Sequence, residues 1–183
     1  MGRWQRAPGH RLQAIGAPPM MEPYFIQGAG GGLFDNTAFG AWSTVGANTA
    51  LFLPFELDRP YLVTQLYVIN GPTVSGNIDV GIYSADGTRL VSNGSVAQTG
   101  GGADQIFNIT DTLLGRGAFY LAVVLSSGTG ELYRYAPTGT DNYRTWGALT
   151  QASAFPLPAT ATFAAPAALG YIPICGLTGR SLI

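Results

Sequence analysis

Three residue types that carry much enzyme chemistry are scarce in this sequence: it contains no lysine, one histidine and one cysteine. Without lysine, neither a Schiff-base lysine nor a phosphate-binding P-loop lysine can form. The histidine is His10, close to the N-terminus, so the rest of the chain cannot assemble a Ser-His-Asp or Cys-His arrangement. One histidine and one cysteine also cannot build a zinc site from nitrogen and sulfur ligands. We therefore expect no metal and no cofactor.

Charge is also scarce, because only 10% of the residues are charged, against roughly 25% in an average soluble domain. Ten of them are acidic, so a pair of carboxylates of the glycosidase type has to be considered. No two acids have a spacing that suggests such a site. The sequence therefore predicts a protein that is not an enzyme.

Long apolar helical runs are missing as well. The N-terminus lacks the uninterrupted apolar stretch of a signal peptide. The apolar segment Ala152–Leu177 is broken by four prolines, which argues against a membrane-spanning helix. The basic residues form no dense patch of the kind that nucleic acids require. We expect a soluble protein that inserts into no membrane and binds no nucleic acid.

The first 40 residues show neither helical nor strand periodicity and are rich in proline and glycine, which predicts an extended arm. Residues Met1–Met21 carry three arginines and no acid, a formal charge of +3, whereas residues 22–183 carry −4. Such an arm suits docking on an acidic protein surface. The candidate anchor residues are Arg3, Trp4, Arg6 and Arg11.

Residues 41–183 have the pattern of short strands. Leu51, Leu53, Phe55 and Leu57 alternate, and Pro54 on the opposite face suggests an edge strand. Ile78, Val80 and Ile82 alternate with Asp79 and Gly81, which predicts a half-buried strand. Asp86-Gly87 then predicts a hairpin with a type I′ turn. Eight or nine such strands, about ten residues apart, predict a single antiparallel β-sandwich of jelly-roll type behind the arm.

A loop-rich stretch between residues 133 and 146 gathers aromatic, basic and amide side chains: Tyr133, Arg134, Tyr135, Asp141, Asn142, Tyr143, Arg144 and Trp146. Aromatic rings stack on sugars, so the stretch is a candidate glycan patch. Tyr, Trp and Arg are equally typical of subunit interfaces. The third alternative is that the rings cover the domain's own core. We favour a structural role, with Trp146 buried.

The segment Asn48–Tyr135 resembles a β-sandwich module of tailed-bacteriophage virion proteins. The similar residues are Thr49–Phe55, the strand Val80–Tyr83 with Asp86-Gly87 behind it, and the segment Asp111–Val123. In that module these correspond to a first strand, a "GIY-x-x-DG" hairpin and a "TL-x-x-G-x-YYLAV" strand. The resemblance covers about half of the chain and contains no catalytic signature. It implies a sandwich carried on the surface of a virion.

Together these features predict a non-enzymatic virion structural protein, located on the particle exterior in the tail or its fibres. The arm would bind other virion proteins, and the low surface charge predicts a homo-oligomer, with a trimer as our hypothesis. A glycan on the host surface is a further candidate partner. The alternatives are a head decoration (cement) protein and a secreted carbohydrate-binding module.

Overall fold

The computed structural model describes residues 39–135, 148–165 and 172–182. In these ranges the chain is almost entirely β-structure, with one turn of 3₁₀ helix at Trp42–Thr44. No helix among them is long and apolar enough to cross a membrane. The strands are β1 (Phe39–Ala41), β2 (Ala50–Leu57), β3 (Tyr61–Ile69), β4 (Asn77–Ser84), β5 (Arg89–Ser92), β6 (Val96–Ala97), β7 (Asp104–Leu114), β8 (Gly117–Leu125), β9 (Glu131–Tyr135), β10 (Leu149–Gln151), β11 (Ile172–Pro173) and β12 (Cys175–Ser181).

The strands form three antiparallel sheets. The central sheet has the order β10-β2-β8-β4-β5, and β6 also pairs with β4. The flanking sheet has the order β12-β3-β7, and the small sheet has the order β1-β9-β11. This arrangement confirms the predicted all-β antiparallel sandwich. The predicted boundary between arm and sandwich, at residue 41, falls inside β1.

The main core lies between the central and flanking sheets. Leu51 pairs with Val123, which pairs with Val80, so apolar side chains form rows across the central sheet. The next row consists of Leu53, Leu121 and Ile82. These rows face the buried side chains of the flanking sheet: Val63, Leu66, Val68, Phe107, Leu114 and Leu177. Alternation along each strand produces this core, as the sequence pattern predicts.

The opposite face of the central sheet is covered by residues 148–165, which we call the strap. Besides the pairing of β10 with β2, three backbone hydrogen bonds fasten the strap: Ala154 N to Asn48 O (2.7 Å), Arg89 N to Ala159 O (2.9 Å) and Ala161 N to Gly87 O (2.8 Å). Beneath it lies a second buried cluster: Ala50, Phe52, Tyr83, Ala122 and Val124, with Ala154 and Leu157 of the strap. The central sheet is therefore buried on both faces.

The prediction that the strand around Ile78–Ile82 is half-buried is wrong, because the strap covers its second face. Asp79 and Gly81 point away from the main core, as predicted, but they meet the strap rather than solvent, and Asp79 is fully buried. A Cβ atom at Gly81 would lie 2.9 Å from Leu157 Cδ1 and 2.8 Å from Val91 O. Glycine at this position therefore allows the strap to approach the sheet closely.

The Asp86-Gly87 hairpin between β4 and β5 is confirmed, but its turn is not type I′. Only Gly87 has a positive φ, of 90°, whereas type I′ requires positive φ at both central residues. Gly87 N donates to Ser84 O (3.0 Å), and the Asp86 carboxylate accepts from the backbone N–H of Thr88 (3.0 Å). The Asp86 side chain therefore stabilises a turn in which the residue of positive φ, Gly87, comes last before β5 resumes the pairing.

β2 is an edge strand of the central sheet at Pro54 but not along its whole length. The short strand β10 pairs with β2 only at Ala50–Phe52, so Pro54 has a described partner, Tyr120 of β8, on one side alone. At the C-terminal end of the described residues, β12 runs as far as Ser181 beside β3. The glycines of β12 obscure that strand in the sequence.

Buried amides close the end of the sandwich next to the small sheet. Gln98 Nε2 donates to Asn70 Oδ1 (2.9 Å) and to Glu131 O (2.9 Å). Asn70 Nδ2 donates in turn to Thr99 O (2.7 Å) and to Gln105 Oε1 (3.1 Å). Because these buried polar groups are hydrogen-bonded to one another, their burial carries little penalty.

Candidate functional site

The described part of the predicted aromatic patch lies where β1 meets β9. Phe39 pairs with Tyr133, and their rings form an edge-to-face contact with centroids 5.9 Å apart. Phe39 is 43% exposed and Tyr133 is partly exposed. Arg134 Nε donates to Phe39 O (3.3 Å), and a Cβ atom at Gly40 would lie 2.8 Å from that nitrogen. Arg134 therefore lies across β1 and holds it to β9.

The other predicted patch residues lie outside the described residues: Asp141, Asn142, Tyr143, Arg144 and Trp146. The same holds for the arm residues Arg3, Trp4, Arg6 and Arg11. Of Tyr135 the structure gives the backbone, which pairs with Ile172. The expectation that Trp146 is buried therefore stays a prediction.

Phe39 was missed as a patch residue because it was assigned to the arm. Its partner across β1 and β9 becomes visible only from the strand register. Gly71 permits the close packing of Phe39 at this point, because a Cβ atom at position 71 would lie 2.6 Å from Glu131 Cβ and 3.3 Å from Phe39 Cβ. The point at which the arm joins the sandwich is thus packed against the aromatic patch.

Among the described acids, Asp79 is the one whose pKa is raised by burial. Its Oδ2 accepts a hydrogen bond from the backbone N–H of Leu157 (3.0 Å), and the Arg89 guanidinium donates to Leu157 O. Loss of hydration raises the pKa of Asp79, while the Leu157 hydrogen bond and the positive charge of Arg89 oppose that rise. Because Asp79 is fully buried beneath the strap, it fastens the strap and is closed to a dissolved substrate.

The variant Asp79→Asn should be more stable than the wild type. The difference between their free energies of unfolding should grow as the pH rises from acidic to neutral. The folded-state pKa of Asp79 is raised, so the wild type gains stability below the pKa of the unfolded chain, about 3.9, and loses it as the pH rises through the folded-state pKa. Asparagine can still accept from Leu157 and carries no charge. Chemical denaturation at a series of pH values should show the difference in the free energy of unfolding growing as the pH rises. A difference independent of pH would contradict this account.

The outer face of the flanking sheet is a second exposed surface. A polar row crosses its three strands: Thr178 Oγ1 donates to Gln65 Oε1 (3.0 Å), and Gln65 Nε2 donates to Asn108 Oδ1 (2.8 Å). On either side of this row lie Ile106, 55% exposed, and Leu113, 61% exposed. This face therefore combines amide and hydroxyl groups with two separate exposed aliphatic side chains.

Within the described residues, the side chains neither form a cluster of metal ligands nor expose a thiol. No group of three or more His, Cys, Asp or Glu side chains among them could hold a metal ion. Cys175 is buried, its thiol lies 3.7 Å from Pro173 O, and burial raises its pKa. A thiol in such surroundings is unreactive.

Both exposed surfaces therefore present rings, aliphatic side chains and amides with few charges around them. No family model, curated protein or solved structure matches the chain.

Proposed function

We propose that this chain is a non-enzymatic structural protein of a tailed-bacteriophage virion, displayed on the exterior of the tail or its fibres and anchored through its N-terminal arm. The observation that carries the proposal is the way the arm joins the sandwich. β1 follows the arm directly and is held between Arg134 on one side and Gly71 on the other. A force on the arm is therefore transmitted into the folded domain through a paired strand.

The positions of the phage-like segments support the proposal. Thr49–Phe55 coincides with β2, Val80–Tyr83 lies in β4, and Asp111–Val123 covers the end of β7 and most of β8. β2, β8 and β4 are neighbours in the central sheet. The resemblance therefore corresponds to one continuous part of the fold rather than to scattered turns.

The arm and the sandwich have different electrostatic characters, which also supports anchoring. The arm starts with three arginines and no acid before Glu22, whereas the rest of the chain is slightly acidic. Charge complementarity of this kind steers association and fixes which partner is accepted. We infer that the partner of the arm is an acidic surface of another virion protein.

The aromatic patch supports a second candidate function, recognition of a glycan. The half-exposed ring of Phe39, in edge-to-face contact with Tyr133, offers an aromatic surface on which a sugar can stack. The same features would suit a secreted carbohydrate-binding module. A head decoration protein would need the arm and the sandwich alike, and differs only in its position on the particle.

The chain should be found in purified phage particles propagated on their bacterial host. Mass spectrometry of the particles should detect it together with the known structural proteins, and gold-labelled antibodies against the sandwich should mark the tail or its fibres. Labelling of the head would instead support the decoration protein. If the chain is absent from particles and present in the culture medium, the virion proposal is wrong and a secreted module is favoured.

A further inference from the structure

The flanking sheet has two free edges within the described residues, because β7 and β12 each pair there with β3 alone. Both are antiparallel to β3, so β7 and β12 run in the same direction. Leu62 of β3 pairs with Leu113 on one side and with Arg180 on the other. These two residues therefore lie at the same level on opposite edges of the sheet.

That end of the sheet exposes an aliphatic side chain on each edge. Leu113 is 61% exposed at the end of β7, and Leu182, which follows β12, is 39% exposed. Leu182 N donates to Pro60 O (3.0 Å), which fixes it beside the start of β3. Two exposed leucines on opposite edges can cover each other only across two copies of the chain.

The same two edges carry opposite charges. Asp111 lies in the irregular part of β7, where the register to β3 shifts, and Arg180 lies in β12. Both side chains are exposed, and neither forms a salt bridge with another described residue. By contrast, pairing β7 antiparallel with β7 of a second copy would bring its two acids, Asp104 and Asp111, close to those of that copy. Charge complementarity thus favours β7 against β12.

We propose that copies of this chain associate edge to edge, with the β7 edge of one copy against the β12 edge of the next. Asp111 then faces Arg180 of the next copy, and Leu113 packs against its Leu182. This contact is heterologous and shifts the second copy by two residues along the strands, since Leu113 and Arg180 of one copy lie at the same level. Its repetition gives a ring where the rotation closes and an open filament where it does not. The inference deepens the proposed function, on which it rests, by naming the surface through which the copies join.

A charge exchange on the full-length chain tests the contact. Analytical ultracentrifugation across a dilution series should give a multiple of the monomer mass for the wild type. Asp111→Arg and Arg180→Asp should each lose the oligomer and sediment as monomers, because each places like charges at the contact. The double variant D111R/R180D restores opposite charges and should recover the wild-type mass. Asp104→Arg, at the other end of β7, is the matched control and should leave the mass unchanged.

All of these substitutions are at exposed positions, so circular dichroism and melting temperature should stay close to those of the wild type. A wild-type monomer at every concentration would overturn the proposal, even if the chain is present in particles. So would single variants that keep the oligomer, or a double variant that remains monomeric. An oligomer with the expected charge dependence, formed by a chain absent from particles, would uphold this contact and refute the virion location.

Discussion

Replacing Trp42 with alanine should lower the free energy of unfolding by about 3–5 kcal/mol, the usual cost of removing a buried aromatic side chain. Trp42 is fully buried in the main core, and its indole Nε1 donates to Thr49 O (3.3 Å). Its backbone N–H donates to Gly130 O (2.8 Å). The residue follows β1 immediately, so its ring joins the small sheet to the main core.

Two further variants show how much of this loss in the free energy of unfolding comes from the ring of Trp42. Trp42→Phe keeps most of the apolar volume and loses the indole N–H, so it should recover much of the lost stability. Phe39→Ala, three residues earlier and 43% exposed in the wild type, should cost far less. Chemical denaturation of the three variants measures these differences. A loss below about 1 kcal/mol for Trp42→Ala would contradict the burial of its ring.

Alternation in the sequence predicts one face of the central sheet well. Leu51, Leu53, Phe55 and Leu57 recur at every second residue; the three leucines are buried in the main core, and Phe55 packs against it. The period of two follows from the pleat of a strand, so no knowledge of distant contacts is needed. The same argument identifies Ile78, Val80 and Ile82 as core residues.

The strap could not be predicted in the same way. Its residues form no periodic pattern, and it contributes only one short strand, β10, to the sheet. Contacts between segments more than fifty residues apart, such as Leu157 on Asp79, decide that the second face is buried. That is why an acid in a seemingly half-buried strand is enclosed by protein.

The residues of the proposed contact between copies could not be identified from the sequence for a related reason. Leu113 and Arg180 are 67 positions apart in the sequence and come to one level only through their shared neighbour Leu62. Phe39 likewise gains its place beside Tyr133 from strand pairing. Composition predicts that surfaces poor in charge exist, whereas the register of the sheets decides which residues form them.

The arm is the element on which the proposed function depends most. Deleting Met1–Gly32 removes all three arm arginines and leaves β1 with six preceding residues. If the arm acts as an anchor and is not part of the core, the truncated chain should keep its melting temperature. It should nevertheless fail to join the particle, since the anchoring surface is lost.

Incorporation of this truncated protein into particles is the most direct test of the account. Phage lacking the wild-type gene product would be complemented with either the full-length or the truncated chain, and purified particles would be compared by immunoblot. A full-length variant with Arg3, Arg6 and Arg11 replaced by glutamine separates the charge of the arm from its length. We predict normal incorporation of the full-length chain and none of the truncated one, although it remains folded. Equal incorporation of the two would contradict anchoring through the arm.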